Sequence, residues 1–160
     1  MSAYETAGMS DDWYTPRYIF DALGERFDLD VAAPAEGPRY APADRWFSEA
    51  ALDKPWEGFV WMNPPFGNQS QKRLWLSKFF AHGCGIALMP DRTSAPWWQE
   101  AAAKADLILF VAGKIKFERP DGVIGASPGT GTTLFASGDK ACKALHRSGL
   151  GVTFTRWRSA

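Results

Sequence analysis

Residues 58–66 of this chain read Gly-Phe-Val-Trp-Met-Asn-Pro-Pro-Phe, an apolar run that stops at two consecutive prolines. The run over 58–62 is short and apolar, which predicts a buried β-strand. Proline fixes φ, lacks an N–H and keeps the residue before it out of the helical region. Asn63 and the carbonyl group of Pro64 are therefore expected to be held rigidly at the carboxyl end of a strand.

Strands and helices alternate on both sides of this strand. Apolar spacing predicts further strands over 27–31, 85–89, 107–112, 132–136 and 151–157, and helices over 16–26, 70–82, 94–104 and 139–147. The helix over 16–26 would have Thr15 as its N-cap and Pro16 at its first position. Residues 43–57 are predicted to form one or two helical turns. This order predicts an α/β fold with a mostly parallel central sheet.

The long glycine-rich segment 113–131 is predicted to be a loop, with a short strand at 115–118. The small polar residues 1–10 are expected to form a flexible N-terminus. By its length, the rest of the chain, 11–160, is expected to form a single domain.

The composition narrows the classes of function. Lys and Arg together number 18, as do Asp and Glu, so any contact with nucleic acid must depend on local basic patches. Cys84 and Cys142 lie far apart without a CxxC motif or a nearby histidine cluster, which gives no support for a metal site. No apolar run approaches the roughly 18 residues that span a bilayer, so we expect a soluble cytoplasmic protein with no membrane partner.

Asn63 and the residues after it carry the chemistry of an amine-modifying site. An exocyclic amino group on a purine is a poor nucleophile because its lone pair is delocalised into the ring. The side-chain oxygen of Asn63 and the carbonyl of Pro64 can accept its two protons, which makes the lone pair available. Pro65 helps to hold these groups outward, and Phe66 offers a flat face for a base extruded from a duplex. We interpret the four residues as a candidate catalytic motif.

A second candidate lies at the end of the strand predicted over 27–31. Ligands on α/β sheets bind beyond the carboxyl ends of the strands, where both Asn63 and Asp30 are expected. The Asp30 carboxylate could accept hydrogen bonds from a ribose or an ammonium group. Small residues after it, such as Ala32, would let a ligand approach the backbone. The two strand ends are therefore expected to share one site.

Basic residues also follow strand-like runs, where they would lie on the rim of that site. We interpret four of them as candidate phosphate contacts: Arg92, Lys114, Lys116 and Arg119.

Several motifs, in order along residues 11–120, resemble those of the small phage-type DNA N6-adenine methyltransferases. They are Asp12-Trp13-Tyr14-Thr15-Pro16, Leu29-Asp30-Val31-Ala32-Ala33, Val60-Trp61-Met62-Asn63-Pro64-Pro65-Phe66-Gly67, and Ala87-Leu88-Met89-Pro90-Asp91-Arg92-Thr93 with Trp97-Trp98 and Lys116-Phe117. The resemblance implies an abridged, Rossmann-like class I methyltransferase fold. It also implies DNA with an adenine-containing site as the partner, and a bacterial host cell with a phage or prophage as the setting.

The resemblance also implies S-adenosylmethionine as the cofactor. Trp13, Thr15, Pro16 and the segment that contains Asp30 and Ala32 would border the cofactor, together with Asn63. Residues 63–66 would hold the target adenine. The resemblance leaves the acid that binds the cofactor ribose unassigned, with Asp44 and Asp53 as candidates.

Two alternatives remain open at this point. The same chemistry suits another planar nitrogen, such as cytosine N4, an RNA base or a glutamine side chain. The chain could also be a catalytically inactive module that binds nucleic acid through the aromatic pocket. The sequence does not indicate the oligomeric state.

Overall fold

The computed structural model describes residues 13–65, 67–125, 129–157 and 159. Its helices are α1 (Arg17–Leu23), α2 (Gln69–His82), α3 (Pro96–Lys104) and α4 (Asp139–Arg147). Its strands are β1 (Phe27–Asp30), β2 (Ala43–Trp46), β3 (Val60–Met62), β4 (Gly85–Pro90), β5 (Leu107–Val111), β6 (Thr132–Ser137) and β7 (Gly151–Phe154). The expected flexible residues 1–10 lie outside the described residues, as does Phe66.

Seven strands form one sheet in the order β2-β1-β3-β4-β6-β5-β7. The pairs β1–β2, β1–β3 and β3–β4 are parallel, whereas β4–β6, β5–β6 and β5–β7 are antiparallel. The α/β class is confirmed, and the architecture is consistent with a methyltransferase-like fold. The sheet is mixed rather than mostly parallel, because β6 lies between β4 and β5 and runs antiparallel to both.

The prediction for residues 43–57 was wrong over its first part. Ala43–Trp46 is a strand that pairs in parallel with β1, with Phe27 opposite Ala43 and Leu29 opposite Arg45. As an edge strand with three exposed residues it shows no alternation of apolar and polar side chains. The helical part is one 3₁₀ turn at Ala51–Asp53, whose Ala51 carbonyl accepts a 2.9 Å hydrogen bond from Trp56 Nε1.

Both faces of the sheet are covered by apolar side chains. On one face α1 and α4 pack over residues such as Phe27 and Trp61, and on the other α2 and α3 pack over Met62. Neighbouring residues of β3 therefore point into different cores, as the pleat of a strand requires. This double burial fixes β3 and directs its carboxyl end to one edge of the sheet. No helix in the described part of the chain is long and apolar enough to cross a membrane.

Candidate active site

The carboxyl ends of β1 and β3 lie side by side. Asp30 is opposite Trp61 in the parallel register, and the N–H of Val31 donates to the carbonyl of Trp61 at 3.1 Å. A cavity of about 320 Å³ opens beyond these ends. The sequence-predicted residues that line it are Trp13, Thr15, Asp30, Ala32, Asn63, Pro64 and Pro65. The two strand ends therefore share one site, in the way that parallel strands allow.

Asn63 is held in the cavity by a residue from a distant part of the chain. Its Nδ2 donates a 3.1 Å hydrogen bond to Oγ1 of the buried Thr15. Its Oδ1 accepts no hydrogen bond from any of the residues that the structure describes. The amide is thus anchored by its nitrogen, and its oxygen is the end that can accept a proton from an amine.

Thr15 does not have the role that its position before a proline predicts. Helix α1 begins at Arg17, Pro16 is its N-cap, and no side chain caps the helix. The Thr15 hydroxyl contacts Asn63 instead of the backbone of α1. Pro16 is absent from the residues that line the cavity. The prediction of Thr15 as N-cap was wrong. Its hydroxyl accepts a hydrogen bond from the distant Asn63, and not from a backbone N–H at the start of α1.

Asp30 is a buried acid on the cavity wall. Its side chain is almost fully enclosed, and its Oδ1 accepts one 3.1 Å hydrogen bond from the N–H of Ala32. Burial raises the pKa of this carboxyl to about 7, because water no longer stabilises the charge, and the bond from Ala32 opposes that rise only in part. A cationic or hydrogen-bonding ligand in the cavity would therefore stabilise the charged form of this carboxyl.

Glu49 is an acid of the cavity wall that the sequence analysis did not single out. It lines the cavity, whereas Asp44 and Asp53 do not. Asp44 forms an exposed ion pair with Arg26 instead. Glu49 follows β2 closely and lies 19 residues after Asp30 in the sequence, near the spacing at which an acid on the next strand binds a ribose in dinucleotide-binding folds. The misread strand β2 hid this signal.

A hairpin over residues 117–125, which we call the rim hairpin, covers the segment that contains Thr15. Glu118 exchanges two backbone hydrogen bonds with Tyr14, of 2.8 and 3.0 Å, and it also bridges Ile124. Gly125 lies against Trp13, so closely that a Cβ at 125 would be 2.6 Å from the indole ring. The predicted strand at 115–118 is thus reduced to the single bridging residue Glu118, and its partner is the cavity wall.

Arg39 and Glu118 join the rim hairpin to the loop after β1. Arg39 donates to Glu118 Oε1 at 2.8 Å and to the carbonyl of Pro120 at 2.7 Å, and its guanidinium lies 3.9 Å from the ring centre of Tyr14. Glu118 Oε2 accepts a 2.8 Å bond from the Tyr40 hydroxyl. The pKa of Tyr40 is raised, mainly by this bond, because a carboxylate disfavours a neighbouring phenolate. Three distant segments therefore form one wall.

The four predicted phosphate contacts lie outside the cavity lining. Lys114, Lys116 and Arg119 are exposed on or beside the rim hairpin, and Arg119 is 3.5 Å from Asp121. Arg92 is half-buried in the turn after β4, where its carbonyl accepts from the N–H of Ala95. The structure thus brings seven of the candidate residues to one cavity, namely Trp13, Thr15, Asp30, Ala32, Asn63, Pro64 and Pro65, and places the four basic residues outside its lining.

The carboxyl end of β4 carries a hydrogen-bonded chain that the sequence does not indicate. Trp98 Nε1 donates to Thr133 Oγ1 at 3.1 Å, and Thr133 Oγ1 donates to Asp91 Oδ1 at 2.6 Å. A Cβ at Gly131 would lie 2.4 Å from Asp91 Oδ2, so a residue with a side chain there would displace the acid. This series of hydrogen bonds fixes the turn that contains Arg92. Among the described residues, no cluster of three or more histidine, cysteine or acidic side chains could hold a metal ion.

The model of one protein family, described as DNA N-6-adenine-methyltransferase (Dam), matches residues 4–143. No curated protein and no solved structure matches the chain.

Proposed function

The chain belongs to the Dam family of DNA N6-adenine methyltransferases, and on that premise we propose that it methylates adenine N6 directly, with S-adenosylmethionine as the donor and a flipped base as the acceptor. The observation that carries the proposal is the Thr15–Asn63 hydrogen bond inside the cavity that also contains Asp30. An acceptor for an amine and an acid suited to a cofactor thus face the same space.

The size and the lining of the cavity support a small-molecule cofactor at this site. Its volume of about 320 Å³ lies within the range of small-molecule sites, roughly 300–1,000 Å³. S-adenosylmethionine supplies, when bound, an electrophilic methyl group on a positive sulfonium. Asp30 and Glu49 would hold its ammonium and hydroxyl groups, since both carboxylates line the cavity. Trp13 and Ala32 would complete the wall, one with an aromatic face and the other with open access to the backbone.

Asn63 and Pro64 would prepare the acceptor. With Nδ2 of Asn63 bonded to Thr15, Oδ1 is left to accept one proton of the adenine amine. The carbonyl of the buried Pro64 would accept the other. Accepting a hydrogen bond from each N–H draws the nitrogen lone pair out of the ring, and Pro65 limits the movement of the strand end. Once the nitrogen carries the methyl group, one of its two protons would be released to water. Catalysis would then come from orientation and fixed dipoles, without a covalent enzyme intermediate.

The DNA would be held by residues around the cavity. We propose that Phe66 stacks on the flipped base, and that Arg92, Lys114, Lys116 and Arg119 contact phosphates. Lys114 and Lys116 form no ion pair within the part of the chain that the structure describes, which leaves their charge available. We place the protein in the cytoplasm of a bacterial host with a phage or prophage origin.

The family match favours adenine in DNA over cytosine N4, an RNA base or a glutamine side chain. The Thr15–Asn63 bond favours an active enzyme over an inactive binding module, since a bound base alone needs no anchored amide.

Two measurements test the proposal. A thermal-shift titration with S-adenosylmethionine should raise the melting temperature, because a ligand of the native state stabilises that state. Incubation of unmethylated DNA with the protein and labelled cofactor should place the label on adenine N6 in the hydrolysed nucleosides. Label on cytosine, or only on RNA or protein acceptors, would overturn the assignment.

A further inference from the structure

The rim hairpin presents two exposed apolar side chains on the stretch that returns from its turn at residues 120–122. Val123 and Ile124 are 53% and 66% exposed, and the backbone around them is well bonded. Arg119 and Val123 are joined by a 2.9 Å hydrogen bond, as are Gly122 and Arg119, and Phe117 and Gly125. Exposed side chains on a well-bonded turn are held out toward a partner at little cost in entropy when they bind.

The hairpin stands at the rim of the cavity. Its base is bonded to Tyr14 and packed on Trp13, and both of these residues line the cavity. Arg39 lines it as well and donates to the hairpin at Pro120. A nucleotide that entered the cavity would therefore leave its strand beside the rim hairpin.

The charges on the rim hairpin and just before it suit contact with a polyanion. Glu118 is bonded to Arg39 and Tyr40, and Asp121 is paired with Arg119. Lys114 and Lys116 are exposed and form no ion pair among the described residues. These two acids are thus paired with basic residues while the two lysines just before the hairpin are not, so residues 114–125 carry net positive charge.

From this placement we propose that Val123 and Ile124 form a wedge that enters duplex DNA and fills the gap left by the flipped base. The inference rests on the proposed function. Extruding a base costs its stacking and pairing, and an apolar side chain inserted at the step replaces part of the lost contact. Lys114 and Lys116, which lie just before the hairpin, contact phosphates beside the gap.

A wedge matters only where there is a duplex to open. In a single strand the target base has no partner and few fixed neighbours, so nothing has to be filled when it enters the cavity. Loss of the wedge should therefore lower activity on duplex DNA and leave activity on single strands unchanged.

The test compares Val123→Ser/Ile124→Ser with the wild type on unmethylated duplex DNA and on the same DNA kept single-stranded. The matched control is Val152→Ser/Phe154→Ser on β7, whose side chains are 60% and 53% exposed and do not line the cavity. We expect methyl transfer to the duplex to fall about tenfold in the wedge variant. Transfer to single strands should match the wild type, and the control should behave as the wild type on both. Val123→Leu/Ile124→Leu should restore transfer to the duplex.

Thermal unfolding of each variant shows whether it is folded before the comparison. Unchanged transfer to the duplex in the folded serine variant would overturn the wedge, as would an equal loss on both substrates. A further outcome is that the wild type binds S-adenosylmethionine and methylates duplex DNA while the serine variant keeps the same ratio of duplex to single-strand transfer. That result would contradict the wedge and leave the proposed function intact. A wild-type chain that methylates neither substrate would overturn the proposed function, and the wedge with it.

Discussion

The parallel half of the sheet (β2, β1, β3 and β4) and its antiparallel half (β6, β5 and β7) contribute differently to the candidate site. Every residue that lines the cavity lies between 13 and 75, in or beside the parallel half. Parallel strands end at the same edge, so the segments after β1, β2 and β3 meet there. In the antiparallel half the ends of neighbouring strands alternate between edges. That half instead supplies the rim hairpin, which stabilises the cavity wall and faces the expected DNA.

The largest expected effect is at the centre of the parallel half. Asn63→Ala should lower methyl transfer by roughly 10²-fold or more, as loss of one fixed dipole does in other active sites. Cofactor binding should change little, because the side chain is proposed to contact the acceptor amine. Single-turnover transfer and a thermal-shift titration measure the two properties separately.

Asn68→Ala is the matched control for this prediction. Asn68 is also an asparagine in the parallel half, but it caps α2 by accepting from Gln71 and does not line the cavity. The control should lose about 1 kcal/mol of stability and keep its activity. If Asn63→Ala transfers methyl groups as fast as the wild type, Asn63 takes no part in the chemistry, and the end of β3 has no special role.

The next effect concerns the acid that follows β2. Glu49→Ala should weaken S-adenosylmethionine binding roughly tenfold, since hydrogen bonds to a charged group contribute about 1.5–3 kcal/mol when buried and less when exposed. Asp44→Ala serves as its control, because Asp44 lies in β2 itself and pairs with Arg26 at the surface. Calorimetric titration of both variants decides the matter. Equal affinities of the two variants for S-adenosylmethionine would show that Glu49, beyond the end of β2, does not contact the cofactor.

Asp30 should link the proposed cofactor site to pH. Its folded-state pKa of about 7 lies above the ordinary value of 3.8, so the folded protein binds a proton that the unfolded chain releases. The contribution of Asp30 to the free energy of unfolding should therefore fall as pH rises from about 4 to about 7 and then level off. Asp30→Asn should lose this dependence and be more stable than the wild type at pH 8, while binding the cofactor less tightly.

Denaturant titrations at several pH values measure the effect of Asp30. The informative control is Asp28→Asn, because Asp28 is also in β1 but is exposed and accepts a 2.7 Å bond from the N–H of Phe59. A wild-type stability that rises between pH 4 and 7 as steeply as that of Asp30→Asn would contradict the buried acid as the cause.

The smallest expected effects lie outside the cavity. Lys116→Ala and Arg92→Ala should each reduce the slope of log K against log salt by about 0.9 on duplex DNA, one counterion for each lost phosphate contact. Cofactor affinity should not change. Lys143→Ala, at an exposed position of α4, is the control with an unchanged slope. Identical slopes in all three variants would place the DNA elsewhere.

Much of the fold could be predicted from the sequence, because long apolar runs mark buried elements. Helix α4 was confirmed with its predicted bounds, and α2 and β4 were confirmed to within one residue. Strand β2 was missed since it lies at an edge and is mostly exposed. The direction of β6 was also missed, because the pattern of apolar residues is the same for a strand read in either direction.

The candidate site was predicted where it depends on residues next to strand ends, as with Asp30 and Asn63. It was not predicted where it depends on contacts between distant segments. The bond between Asn63 and Thr15 joins residues 48 apart, and that between Arg39 and Glu118 joins residues 79 apart. No spacing rule relates such pairs, so Glu118 and Arg39 emerged only from the packed structure.

The position of β6 between β4 and β5 has a consequence for the order in which the chain can fold during synthesis. Strands β1 to β4 can pair with one another as soon as residue 90 has left the ribosome. Strand β5 is paired with β6 and β7, not with β4, so it has no place in the sheet until residues 132–137 have emerged. During that interval the apolar strand Leu107–Val111 has no strand to pair with. The speed of translation through the glycine-rich segment after it therefore sets how long the nascent protein can associate incorrectly with other chains.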